Sequence, residues 1–515
     1  MSFMSNLKTT LDENSFSVTE NGALGFSTSG RKLLDLNFAV TSFRNKPDKA
    51  IEDAFAKAFY EDKLLALKWL FYCRDREQGI GERRLFRVAL KWLATEQPEI
   101  VKAVFELSGF YGRLDDMFVL LDTDLRDDVI VYISKQLKED QENMKNGKPC
   151  SLLAKWLKSS NASSKETKRL AKIIYTGLGM TERQYRKMLS ELRKYLNVIE
   201  VKMSAKEWSE IDYNAVPSRA NLIYNGAFLR NDEERRRAYL AALERGDKGV
   251  KINGSVNFPH DIVHRYMSGG WGRSLNSLDT TLEQLWKALP DFVNGQGNTI
   301  CVADGSGSMT TTIGGTNVSA LSVANALAIY FAEHSNGEFK DNYITFSNRP
   351  QLVDFSSAKT LRDKISIALR HNEVADTNIE AVFDLLLKTA VSKKLSQEEI
   401  PSNVLVLSDM EFNSCATCNG GGYRSMRKTL FREIEQKWNN AEYKMPRVVF
   451  WNLCSRTGTL PVNQHENFPV ALVSGFSPAI CKMVLSGKLD PFECLVEQLN
   501  SERYQIVEDA VKEVI

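Results

Sequence analysis

Thr299-Ile-Cys-Val-Ala303, running directly into Asp304-Gly-Ser-Gly-Ser308, is the stretch whose reading decides the fold of the C-terminal part of the chain. Five apolar or β-branched residues in a row read as a buried strand, and Gly305 and Gly307 mark a tight turn at its end. Downstream, strands are expected at 342–346, 351–355, 404–407, 447–451 and 470–473, separated by helices at 319–334, 361–369, 379–389 and 425–439. Strands alternating with helices predict an α/β domain over 298–515 with a mostly parallel, doubly wound sheet. Ligands of such sheets bind outside the carboxyl ends of the strands, where Asp304 is expected to stand.

The turn carries one carboxylate and two hydroxyls, Asp304, Ser306 and Ser308, at alternate positions. Two further loops add to them. Thr377 lies in the segment 371–378 ahead of a helix, and Asp409 follows the strand at 404–407. Hard oxygen donors suit Mg²⁺, or another divalent cation such as Mn²⁺ or Ca²⁺, in preference to Zn²⁺. Neutral hydroxyls undercompensate a divalent charge, so such a site attracts a carboxylate from a partner protein.

These residues resemble the von Willebrand factor A domain and its metal-ion-dependent adhesion site, over roughly 296–490. The resemblance implies that Ser306, Ser308 and Thr377 coordinate the ion directly, and that Asp304 and Asp409 act directly or through water. Asp376 stands where that family usually has glycine.

Ahead of this domain the texture is different. Residues 1–46 are mixed, with a hairpin expected around Asn21-Gly22. Residues 47–245 carry apolar residues at three- and four-residue spacing, in segments such as 50–60, 63–71, 82–95 and 98–107. Short joints between such helices predict an all-α bundle or solenoid, without a fixed repeat. The glycine-rich stretch 246–297 reads as a linker interrupted by a short helix at 277–289.

Several motifs here, including Gly79-Ile-Gly-Glu-Arg83, Tyr111-Gly-Arg-Leu-Asp-Asp116, Lys155-Trp-Leu157 and Met180-Thr-Glu-Arg-Gln-Tyr-Arg186, resemble an uncharacterised family that joins a helical module to a von Willebrand-type domain. That architecture is similar to the Ro autoantigen and its bacterial relatives, whose TROVE module is a ring of HEAT-like helix pairs. The similarity implies binding of RNA, small and structured or single-stranded.

Charge is an independent observation. The 515 residues hold 67 Lys and Arg against 65 Asp and Glu, yet the two parts differ: net +6 over 1–295 and net −4 over 296–515. Segment 151–200 alone has eleven basic and four acidic residues. In its first helix Lys165, Lys168, Arg169 and Lys172 fall at i, i+3, i+4 and i+7, apart from Leu170, Ile173 and Ile174. The next helix sets Arg183, Arg186, Lys187 and Lys194 against Tyr185, Met188, Leu189 and Leu192. With Lys155 and Lys158 these residues form the candidate phosphate-binding face, the alternative being a solvated lysine-rich surface. Arg74, Arg76, Arg83, Arg84, Arg87 and Arg113 are interleaved with acids and read as local ion pairs.

Other chemistry is poorly represented. Eight cysteines, mostly inside apolar runs, read as reduced thiols of a cytoplasmic protein. No apolar run is long enough to span a membrane, and no secretory leader is visible at the start. Cys415 and Cys418 form a lone CxxC beside Asp409, and His260 and His264 stand four apart, but nothing in the sequence joins these pairs into a zinc site. His260 reads as a packing or capping residue and His371 as an incidental loop residue. No P-loop, nucleophile elbow or zincin motif occurs. The expectation is a non-catalytic RNA-binding scaffold with a metal-dependent docking site. The alternatives are a metal-dependent protein-interaction module that does not bind RNA and, last, a metal-dependent hydrolase.

Overall fold

The computed structural model describes residues 16–22, 24–267, 275–294, 298–314, 316–372, 377–412, 434–462, 470–484, 488 and 490–515. The chain forms two compact units that interleave in sequence. One comprises 1–66 and 255–501 and is built on a sheet; the other comprises 67–254 and 502–515 and is helical.

The sheet unit begins with the expected hairpin. Strand β1 (Phe16–Val18) pairs antiparallel with β2 (Leu24–Phe26), with Phe16 opposite Phe26. At its turn the Gly22 amide donates to the Thr19 carbonyl, with Gly22 at φ +85°, a left-handed conformation suited to glycine.

The six-stranded sheet starts at β3 (Thr299–Asp304) and continues with β4 (Asn342–Phe346), β5 (Leu352–Asp354), β6 (Asn403–Ser408), β7 (Arg447–Asn452) and β8 (Val470–Ser474). Its order is β5-β4-β3-β6-β7-β8, parallel throughout except for the antiparallel edge pair β4–β5. Strands β3, β7 and β8 are buried along their whole length, which is why each reads as a continuous run rather than an alternation. The helix Ala320–His334, capped by the Ser319 hydroxyl, is buried around nearly its whole circumference beside β3. β3 is central, with the chain winding outward from it on both sides. The strand order therefore reverses between β3 and β6, the switch point at whose carboxyl ends sheets of this kind form their ligand crevice.

The expected domain boundaries need correction. Residues 47–66 do not belong to the helical unit: the helix Asp48–Glu61 packs on Lys32–Phe38, which in turn packs on β8. The Asn452 side chain of β7 donates to the Phe38 carbonyl at 2.7 Å and fastens this segment to the sheet unit. The stretch 246–297 is not simply a linker either. From 255 onward it belongs to the sheet unit, and the helix Pro259–Met267 buries Ile262, Val263 and Tyr266 against Ala320–His334. The apolar spacing of that helix was present in the sequence but masked by flanking glycines. The short helix expected at 277–289 spans Thr280–Lys287, capped by the Asp279 carboxylate. Finally, 502–515 leaves the α/β domain and completes the helical unit.

In the helical unit, Phe71 packs on Phe86 and Tyr111, with ring centroids 5.6 and 5.2 Å apart. Tyr504, from the end of the chain, stacks on Tyr111 at 5.6 Å and donates to the buried Asp75 at 2.9 Å. A second cluster gathers Ile199, Ile211, Tyr213, Val216 and Phe228. Among the described residues no helix is long and apolar enough to cross a membrane.

Candidate functional site

The pairing register places the two predicted aspartates side by side. Ala303 on β3 lies opposite Leu407 on β6, so Asp304 faces Ser408, and Asp409 is the next residue along. Asp304 is 1% exposed; one carboxylate oxygen accepts from the Ser408 hydroxyl at 2.6 Å and the other from the Ser306 amide at 2.9 Å. The hydroxyls of Ser306 and Ser308 are 3.1 Å apart in the half-buried turn that follows. Burial, and then the charge of Asp409, push the Asp304 carboxyl up to about 6.

Asp409 is 2% exposed, and burial raises its pKa too, while the Ser308 hydroxyl and the Arg456 charge pull the other way. Its Oδ1 accepts from the Glu411 amide at 3.2 Å. Its Oδ2 is buried without a hydrogen-bond partner, although Arg456 Nη1 stands 3.2 Å away as an ion pair lacking hydrogen-bond geometry.

Thr377 is almost buried and precedes Asn378, whose side chain caps the helix Ile379–Lys393 by accepting from the Ala381 amide at 3.1 Å. The predicted Asp376 and the Cys415–Cys418 loop lie outside the described residues.

Two buried carboxylates whose charged forms burial disfavours, two adjacent hydroxyls and a carboxylate oxygen that accepts no hydrogen bond are the donor set that a small, hard divalent ion satisfies. Asp304, Ser306, Ser308 and Asp409 converge at one crevice and fit such an ion. Thr377 stands at the head of its own helix. No group of three His, Cys, Asp or Glu side chains suited to a metal occurs among the described residues, so any ion here must rely on hydroxyls. His260 packs between Phe258 and Phe476, at 5.7 and 5.2 Å between ring centroids, in keeping with a packing role.

Sequence reasoning missed the residues that surround this crevice. Glu411, two positions after Asp409, is buried and gathers the loop after β7. Its Oε1 accepts from the amides of Arg456 at 2.7 Å and Thr457 at 3.0 Å, and its Oε2 from the Glu20 amide at 2.7 Å. The hairpin is tied in further by Thr19 Oγ1 donating to the Phe412 carbonyl at 2.7 Å and by the reciprocal backbone bonds of Phe26 and Leu460. The Arg456 Nε donates to the Glu20 carboxylate. Only the Asp-x-Glu spacing of 409–411 signalled any of this, and it has no distinctive pattern.

On the helical unit, the two basic helices form as expected. Lys165–Gly177 is capped by Ser164 and buries Ala171 and Ile174; Glu182–Tyr195 has a Thr181/Gln184 capping box and buries Tyr185, Met188, Leu189 and Leu192. Lys165, Lys168, Lys172, Arg183, Arg186 and Lys194 are exposed and, among the described residues, pair with no carboxylate. Lys187 is exposed, with Glu191 3.9 Å away.

Three members of the predicted face are otherwise engaged. Arg169 is clamped by Asp122 at 2.7 Å and Glu166 at 2.6 Å. Lys158 is drawn to the buried Asp115 at 2.9 Å, and Lys155 lies over the Trp156 ring at 5.4 Å. Three of the arginines read as ion pairs are so placed. Arg74 and Arg87 reach Asp116 at 2.6 and 2.7 Å, and Arg113 grips Asp115 at 2.7 Å. Gly112 is required there, because a Cβ would lie 2.5 Å from Arg74 Nε.

The fold and site thus define a two-unit chain in which a helical unit with a basic face accompanies a sheet unit with an acidic crevice. A family model described as "Domain of unknown function (DUF2828)" matches residues 19–107 and 124–302, more than half of the chain, and the protein belongs to that family. A second, "Domain of unknown function (DUF7788)", matches 298–513, beginning at the strand that leads into Asp304. The chain is also similar to "Uncharacterized protein L728" of Acanthamoeba polyphaga mimivirus, 28% identical over 521 residues that cover 94% of this chain and 87% of that protein.

Proposed function

We propose that the protein is a non-catalytic RNA-binding scaffold of Ro-like type, with the two basic helices as its RNA-binding face and a Mg²⁺-dependent docking site of the von Willebrand factor A kind in its sheet unit. The observation that carries the RNA reading is the set of exposed cations on the consecutive helices Lys165–Gly177 and Glu182–Tyr195, six of them without a carboxylate partner among the described residues. Unneutralised cations at helical spacing contact successive phosphates and release counterions, which favours RNA without selecting sequence. Arg169 and Lys158, already neutralised, hold the helices in place, and a HEAT-like packing of helix pairs is the finer reading of this unit.

In the sheet unit, Asp304, Ser306, Ser308 and Asp409, with Thr377, would hold the divalent ion. When bound, Mg²⁺ offers a Lewis-acidic position that a partner's carboxylate can fill. The residues themselves orient the turn, exclude water from two carboxylates and keep the crevice open at strand ends. The six described cysteines are free thiols, in keeping with a reducing, cytoplasmic setting.

The test is fluorescence anisotropy with a labelled oligouridylate. Replacing Lys165, Lys168 and Lys172 by glutamate should weaken binding more than tenfold at low salt and flatten the slope of log K against log salt by about 2, at roughly 0.7 per phosphate contact on single strands. Unchanged binding, or no RNA affinity in the wild type at low salt, would sink the RNA reading. Asp409 Oδ2, buried without a hydrogen bond, favours one second reading, a metal-dependent protein-docking module without RNA, and that reading takes over if the RNA assay fails while Mg²⁺ still binds.

A further inference from the structure

We infer that Arg456 is a resident counter-cation that sets how tightly the crevice takes a divalent ion, and that Glu20 of the N-terminal hairpin sets how firmly Arg456 holds Asp409. The inference rests on the metal reading above and concerns its control. Arg456 stands between two carboxylates: Nη1 is 3.2 Å from Asp409 Oδ2, and Nε donates to Glu20. A third contact, Nη1 to Thr311 Oγ1 at 3.4 Å, places the guanidinium over the turn that carries Ser306 and Ser308. Its backbone is fixed independently, because the Arg456 amide donates to Glu411. The side chain can therefore be exchanged without loosening the loop.

The two carboxylates differ in setting. Asp409 is 2% exposed and Glu20 is exposed, so the Arg456–Asp409 attraction is the less screened of the two. A positive guanidinium beside Asp409 reduces the negative potential that draws a second cation into the crevice. Any cation bound there shares Asp409 with Arg456, and the two weaken one another. Glu20 draws part of the guanidinium charge outward and so relieves that competition. Because coupling is reciprocal, an ion in the crevice strengthens the Arg456–Glu20 pair and fastens the hairpin, which is already anchored through Glu411 and Phe412.

The experiment is isothermal titration of the full chain with MgCl₂. Arg456→Met should tighten Mg²⁺ binding about tenfold, within the range of ordinary site–site coupling, and Glu20→Gln should weaken it a few fold. In the double variant the Glu20→Gln effect should vanish, since it acts only through Arg456, and Arg456→Lys should stay close to wild type. An Arg456→Met protein that binds Mg²⁺ no more tightly than wild type overturns the inference while leaving the metal site standing. So does a Glu20→Gln effect that persists in the Arg456→Met background. If neither wild type nor Arg456→Met takes up Mg²⁺ at millimolar concentration, the metal reading falls and this inference with it. If Arg456→Met alone binds, Arg456 is confirmed as the element that closes the site.

Discussion

Asp304 and Asp409 carry opposing demands. Each is buried, which raises the pKa of both, and the charge of Asp409 further disfavours ionisation of Asp304. The consequence for Asp304 has a definite sign. Its folded-state pKa, about 6, lies above the unfolded value, so its favourable contribution is complete below about pH 4 and is lost as pH rises through 6. Without a divalent ion, Asp304→Asn should therefore be more stable than wild type at pH 8, by about 2–3 kcal/mol at most, at about 1.4 kcal/mol per pKa unit. With saturating Mg²⁺ the ranking should reverse, because only wild type gains ligand stabilisation, about 2.7 kcal/mol at a hundredfold excess over Kd. Thermal melts with and without MgCl₂ check both halves.

Asp115 behaves in the opposite way. Burial works against its charge, but the Lys158 hydrogen bond and the charges of Arg113, Lys158 and Arg87 overcome this and hold its carboxyl below the usual range. That contribution is present above the unfolded pKa, near 4, and is lost as pH falls through the lower folded value. Asp115→Asn should lower stability at pH 7 by about 2–4 kcal/mol, since it strips a buried carboxylate from three cations, and flatten the acid limb of the denaturation profile. An acid limb that keeps its slope would remove Asp115 as its cause.

Among secondary-structure elements, the helix pair Lys165–Gly177 and Glu182–Tyr195 shows how periodicity separates an exposed basic face from the core. Both helices present a core stripe and a basic stripe as their spacing requires. The stripe is not uniform, and the RNA experiment should register that. Arg169→Ala, which removes a cation already held by Asp122 and Glu166, should change the salt slope much less than Lys168→Ala, whose ammonium pairs with no carboxylate. Equal slopes for the two single variants would mean that the clamp opens to receive RNA. The hairpin β1–β2 was legible for a different reason: Asn21-Gly22 between short β-prone runs has few competing conformations. Its docking beside Asp409 was not legible, because Thr19, Glu20 and Asn21 are ordinary turn residues until Glu411 and Phe412 arrive from almost four hundred positions away.

At the scale of the whole molecule, the two units interleave, so the last fourteen residues belong with a unit whose main segment ends at residue 254. Arg503 and Tyr504 both serve the fully buried Asp75, and Tyr504 stacks on Tyr111. Ending the chain at Ser501 should leave that carboxylate buried without either partner and destabilise the helical unit by about 3–5 kcal/mol, the usual cost of breaking a buried ion pair. Hydrogen exchange should show the loss in 67–254, with β3 to β8 little changed. Uniform protection across both units would overturn this assignment of the terminus.

What the sequence determined by itself was local. It set the strands whose apolar runs can only be buried, the helices with one wet face, the turn that aims Asp304, Ser306 and Ser308 in one direction, and the segregation of positive charge into fifty residues. These follow from backbone sterics and periodicity, which act over a few neighbouring residues. Only the tertiary structure decided that Asp304 faces Ser408 beside Asp409, that Arg456 stands between Asp409 and Glu20, that Lys158 and Arg169 are ion-paired, and that both ends of the chain join units they do not adjoin in sequence. Such pairings are set by burial and by complementary charges brought together across hundreds of residues, and no local pattern encodes them.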